Sequence, residues 1–147
     1  MKVKVRTCVD GVFFDACHFN RVGDEVLLHG HTFEVSVCVE GGVGGEGWVV
    51  DFSELRGMVE DVVSRFRYAL MIPKELKGAV DFKGPFNVRY AYIEGRATAE
   101  SLAMLICGEV LEGVRSINPS VRAAEVWVKE GVSGTASARC EAGSPSD

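Results

Sequence analysis

The sequence is poor in histidine: there are three in 147 residues, and all lie within one short stretch. It also lacks any apolar run near the ~20 residues that span a bilayer, which argues against a membrane-embedded protein. The N-terminus, Met1-Lys2-Val3-Lys4-Val5-Arg6, alternates charge with valine and has no apolar core of a secretory signal. The five cysteines (Cys8, Cys17, Cys38, Cys107, Cys140) are odd in number, scattered and without a CxxC pair. This pattern predicts reduced thiols and a cytoplasmic location rather than a disulfide framework. An excess of basic charge is missing too. The formal net charge is −5, which argues against nucleic acid as the main partner, because phosphate backbones select basic surfaces. Internal repeats are absent.

What is present is ordinary for a globular chain. Hydrophobic residues make up 47% and charged residues 25%, and the length suffices for one domain with its own core. We expect a single domain over 1–140, with 141–147 as a flexible tail ending in GSPSD.

Residues 2–9 alternate valine with polar residues and read as a strand. VFFDACHF (12–19) continues as strand, with a turn or bulge at Asp10-Gly11. A polar, then apolar, connection covers 20–28. HGHTFEVSVCVE (29–40) is the clearest strand, with Phe33, Val35, Val37 and Val39 on one face. The glycine-rich 41–47 reverses the chain, and no GK[ST] ending supports a phosphate loop there. Residues 53–67 read as a helix capped by Asp51 or Ser53, with Leu55, Met58, Val59, Val62, Val63 and Phe66 at helical spacing. Residues 72–95, broken by Pro73, Gly78, Gly84 and Pro85, read as irregular. Thr98 caps a second helix over 98–115, and 122–130 form a late strand. The segregation of strands from helices predicts an α+β layer with helices on one face of an antiparallel sheet.

The candidate chemistry lies in the histidines. His29 and His31 flank Gly30 on a strand, so both imidazoles project to one side with Cα atoms roughly 6–7 Å apart, at ~3.3 Å per residue. That separation suits two ligands of one tetrahedral metal. An HxH pair alone is more readily a chance feature of a surface strand. His18 on the preceding strand supplies a third nitrogen, and three imidazoles with an open fourth position are the pattern of catalytic zinc. Cys17, next to His18, points to the other face and is expected as a core thiol. Glu25, four residues before His29, is placed to act as general acid or base, or is a solvated carboxylate beside Asp24. Glu130, ending the late strand, can accept two parallel hydrogen bonds from an amidine-like N–H edge, or is a surface residue.

Together and in order, F14-D-A-C-H18-F, H29-G-H31-T-F-E-V-S-V, G47-W-V-V-D51-F52-S-E-L55, T98-A-E100-S-L-A103 and V126-W-V-K-E130 resemble the 6-pyruvoyl-tetrahydropterin synthase / 6-carboxy-tetrahydropterin synthase family. The resemblance runs from about residue 3 to 140. It implies the T-fold, a four-stranded antiparallel sheet with two helices on one face. Sheets of several subunits would form a barrel, as a hexamer of two stacked trimers or a tetramer, with active sites at subunit interfaces. It further implies Zn2+ on His18, His29 and His31. Glu130 would anchor the pterin ring, with Thr98 and Glu100 contributing, and 7,8-dihydroneopterin triphosphate would be the substrate.

Two departures qualify the activity. Where the family carries a catalytic cysteine, this sequence has Glu25, as in a branch that resembles an aldolase and releases 6-hydroxymethyl-7,8-dihydropterin. Where the family carries an Asp-His relay, Arg67 and Tyr68 stand in R65-F-R-Y-A-L. The expectation is therefore a zinc-dependent dihydropterin side-chain lyase with Glu25 as its acid/base. The alternatives are a 6-pyruvoyl- or 6-carboxy-tetrahydropterin synthase, a non-catalytic pterin-binding zinc protein, and a purely structural zinc. Arg21, Arg65, Arg67 and Arg89 are candidates for the triphosphate by charge alone.

Overall fold

The structure is a computed structural model that describes residues 1–143. The expected tail at 141–147 falls mostly outside the described residues. Two long strands, β1 (Val5–Val22) and β2 (Glu25–Gly41), form an antiparallel hairpin. The bulge expected at Asp10-Gly11 is present: the register shifts between Val9 and Val12, and Gly11 takes a φ of 68°. The segment expected as a connection over 20–28 instead belongs to the hairpin, which turns tightly at Gly23-Asp24 with Val22 opposite Glu25.

Helix α1 (Phe52–Ser64) is capped by Asp51, whose carboxylate accepts from the Ser53 (2.8 Å) and Glu54 (3.3 Å) amides. The helix ends before 67, as the chain turns through Arg65–Tyr68 and Tyr68 takes a left-handed φ of 57°. Helix α2 (Ala99–Ile117) starts at Thr98, whose hydroxyl accepts from the Ser101 amide. Four more strands lie along the rest of the chain: β3 (Ala69–Pro73), β4 (Arg89–Ile93) and, after α2, the expected β5 (Ala123–Glu130), which is followed by β6 (Gly134–Glu141).

Of these, β3, β4 and β6 were not expected; β3 and β4 lie within or beside the segment read as irregular. The sheet is six-stranded, ordered β4-β3-β1-β2-β5-β6, rather than four-stranded. β3 pairs with β1 and β4 in parallel, so the sheet is mixed. The physical reason is burial. Every residue of β3 is buried, so it reads as a short apolar run without the alternation that marks a one-sided strand.

Both helices pack on one face of the sheet. Val12, Phe14 and Ala16 of β1, Phe33, Val35, Val37 and Val39 of β2, and Val126 and Val128 of β5 meet Leu55, Val59 and Val63 of α1 and Leu102, Ile106, Val110 and Val114 of α2. The cysteine expectation is corrected. Strand register sets Cys8 opposite Cys38, and the two are joined; Cys107 of α2 is joined to Cys140 of β6. Cys17 points away from His18 as expected, but it is an exposed thiol and not a core one. Among the described residues no helix is long and apolar enough to cross a membrane.

Candidate metal centre

The hairpin brings the histidines together. His18 pairs directly with His29 across β1–β2, so both rings rise from the helix-side face, and His31 follows one pleat along. Ring centroids of the three lie 4.5 to 5.1 Å apart. The next step of β2, Phe33, pairs with Glu130, and this register carries the Glu130 carboxylate onto the same patch. One ligand atom from each of His18, His29, His31 and Glu130 fits within 4.8 Å of the others.

The nitrogens facing one another can be identified. His18 Nδ1 lies 2.7 Å from the Ala97 carbonyl oxygen, and His29 Nδ1 lies 3.0 Å from that of Leu27. A carbonyl only accepts, so both Nδ1 atoms carry the proton and donate. Both Nε2 atoms are then lone-pair sites, and they converge to 2.9 Å. His31 Nε2 is buried and has no hydrogen-bond partner, although a Glu130 oxygen lies 2.7 Å away outside hydrogen-bond geometry. The same oxygen is 3.3 Å from His18 Nε2. Lone pairs and a carboxylate crowded into one point repel unless a cation sits between them. The donor set, three imidazoles and one carboxylate, fits a zinc-like ion.

His18 is only 1% exposed. Burial holds its pKa below the ordinary histidine value, and His29 and His31 push the same way. The Ala97 hydrogen bond and the Glu130 carboxylate oppose that shift. The imidazole is therefore neutral at pH 7, the form that ligates a metal.

The other expected residues divide. Thr98 adjoins Ala97, whose carbonyl holds His18, so the α2 cap abuts the centre. Glu100 is exposed in the first turn of α2. Glu25 shares the strand face of His29 and His31 but lies near the hairpin turn, exposed and without an ion pair among the described residues. Tyr68 does not join the cluster. It lines an open depression of about 490 Å3 with Asp15, Cys17, Gly30, His31 and Thr32. Arg65 pairs with Glu109 and Arg67 with Glu60, so helix-borne carboxylates already engage two of the candidate phosphate ligands. Arg89 is directed at the Ser64 carbonyl. Arg21 lies with Arg96 in a cleft of about 790 Å3. Sequence reasoning missed Asn20 and Ala97 as supports of His18. It also missed the shared position of Glu130, for which the β2–β5 register was the only available signal.

A mixed sheet carrying two helices on one face, with three imidazoles and a carboxylate clustered together, defines an α+β protein with a group of side chains that could hold a metal. The chain belongs to the 6-pyruvoyl tetrahydropterin synthase family, whose model matches residues 8–141. It is similar to a dihydroneopterin monophosphate aldolase from Pyrococcus furiosus, 44% identical over 50 residues. That match spans 34% of this chain and 43% of the relative's length. The fold is that of the Plasmodium falciparum 6-pyruvoyl tetrahydropterin synthase (TM-score 0.78, 20% identity, 96% of this chain and 100% of the other). It is likewise that of a Plasmodium vivax 6-pyruvoyltetrahydropterin synthase in which a catalytic glutamate is replaced by alanine (TM-score 0.77, 21% identity, 96% and 100%). The family and its named relatives are pterin-pathway enzymes, and the T-fold is shared, with six strands in this chain.

Proposed function

We propose that this chain binds one zinc ion through His18, His29 and His31 and cleaves the side chain of a phosphorylated 7,8-dihydroneopterin, releasing 6-hydroxymethyl-7,8-dihydropterin. The observation that carries the metal is the convergence of imidazole lone pairs at a buried point. Glu25, on the strand face of His29 and His31, favours cleavage: a carboxylate takes a hydroxyl proton, whereas the family's usual redox tautomerisation relies on a thiol. Support comes from the aldolase relative.

Bound zinc would acidify the side-chain hydroxyls it holds. Glu25 removes the proton from the hydroxyl on the second side-chain carbon. The bond between the first and second carbons breaks as that oxygen becomes a carbonyl. The electron pair passes into the dihydropterin, and the first carbon regains a proton. Glu130 would serve as the pterin anchor rather than as a fourth metal ligand: its carboxylate, beside the imidazoles, would accept hydrogen bonds from the N–H edge of a pterin, with Thr98 and Glu100 contributing from the start of α2.

The site also calls for a second copy of the chain. β3 pairs with β1 only at Ala16 and Cys17, and β5 pairs with β2 only from Phe33 to Glu40. The hairpin from His18 to His29 therefore runs beyond both neighbours as a two-stranded arm. It bears Val22, Val26, Leu27 and Leu28, each 41% to 65% exposed. An isolated two-stranded arm is marginal in water, and this apolar one suits an interface in a homo-oligomer. Glu25 at its tip would then face a site closed by a neighbouring subunit.

The test is product analysis. Zinc-loaded protein is incubated with 7,8-dihydroneopterin triphosphate and, separately, the monophosphate. We expect 6-hydroxymethyl-7,8-dihydropterin, with Glu25→Gln lowering turnover about 10²–10⁴-fold and leaving zinc content unchanged. A 6-pyruvoyl or 6-carboxy product would overturn the lyase reading. Pterin binding without turnover would make the chain a binding protein.

A further inference from the structure

The three histidines of the cluster are unequally supported, and the most deeply buried has a partner that the family motif does not contain. Asn20 lies two residues after His18 on the same strand face. Its Nδ2 donates to the Ala97 carbonyl at 3.0 Å, the oxygen that also accepts from His18 Nδ1 at 2.7 Å. Nδ2 is 3.1 Å from His18 Nδ1. Two arrangements fit these distances on paper. If His18 Nδ1 were the bare nitrogen, it could accept from Asn20. It would then stand 2.7 Å from a carbonyl oxygen with no proton between them, which is repulsive. With Nδ1 protonated, one carbonyl takes two donors on its two lone pairs, and the 3.1 Å approach follows from sharing that oxygen. Flipping the Asn20 amide would set its oxygen against Ala97 O, so the donor orientation is the consistent one.

We propose that Asn20 is a positioning residue. By fixing the Ala97 carbonyl, it locks His18 into the tautomer whose Nε2 lone pair faces the cluster, and thereby sets the affinity for a divalent cation. Asn20 also lines the cleft that holds Arg21 and Arg96, so it stands between that cleft and the His18 hydrogen bond. Without it, the carbonyl has a free lone pair open to water and the ring can turn. Partners that hold a ligating imidazole in this way typically contribute 10–100-fold to metal affinity.

This inference rests on the metal reading, and the experiment separates the two. In metal-free protein, 15N NMR of the imidazoles reports the His18 tautomer directly. Zinc affinity is measured by competition with a chromophoric chelator, and thermal melting of the metal-free protein serves as control. We expect wild type to show His18 protonated at Nδ1. Asn20→Leu and the smaller Asn20→Ala should give a mixed tautomer and zinc binding weakened roughly 10–100-fold. If either folded variant keeps the wild-type tautomer and zinc affinity and loses only melting temperature, Asn20 is merely structural and the proposal fails. If wild type binds no zinc, the metal reading fails, while the tautomer measurement still decides the role of Asn20.

Discussion

The two halves of β2 obey the same alternation and do opposite things. From Phe33 to Val39 the strand is paired on both sides, by β1 and β5, and every second side chain enters the core: Phe33, Val35 and Val37 are fully buried and Val39 nearly so. From Glu25 to His31 only β1 pairs with it, and the same face carries Glu25, Leu27, His29 and His31. The inner half satisfies its side chains by packing. The outer half leaves nitrogen lone pairs facing one another, a cost that a core position would not tolerate without a ligand. One strand thus supplies both a rigid anchor and the clustered imidazoles, and the anchor fixes the spacing of those imidazoles.

Three perturbations pull the halves apart. Phe33→Ala has the largest expected effect. Phe33 lies at the boundary, fully buried, stacked on Phe14 at 5.1 Å and within 6.1 Å of the His18 and His31 rings. Truncation should lower stability by about 3–5 kcal/mol in chemical denaturation and also weaken zinc binding. An effect on stability alone would show that the halves are independent. His31→Ala should act on the outer half only. It removes one ligand from a site that, by the scale of known zinc sites at about 10–16 kcal/mol, should lose on the order of 10²–10³ in affinity. The metal-free protein should melt as wild type does, or slightly higher, because a buried nitrogen without a partner has gone. The smallest effect is on pH. His18 has a depressed pKa in the fold, so the unfolded chain binds more protons below about pH 6.5. Stability of the metal-free protein should therefore fall as pH drops from about 6.5 toward the folded pKa, and His18→Asn should flatten that limb. An unchanged slope would mean that His18 is not buried as described.

Much of this contrast could be read from the sequence. Alternation marked the inner half of β2, and the HxH spacing with His18 marked the histidine cluster. Thr98 announced the start of α2, and Asp51, one of two candidate caps beside Ser53, announced that of α1. The misses have physical causes. β3 is buried throughout and so carries no alternation, and its pairing with β4 spans a long, breaker-rich loop. β6 alternates between half-buried and exposed, too weakly to show by hydrophobicity. The Cys8–Cys38 and Cys107–Cys140 pairs depend on register and on helix placement, which no local pattern encodes. Glu130 joined the histidines for the same reason, through a contact between strands far apart in the chain.

If the outer half of β2 is a metal site, zinc-loaded crystals must show it. Anomalous diffraction at the zinc edge is expected to give one peak per chain, bonded to the Nε2 atoms of His18, His29 and His31. A protein that takes up no zinc, or a peak bonded elsewhere, would contradict the metal assignment.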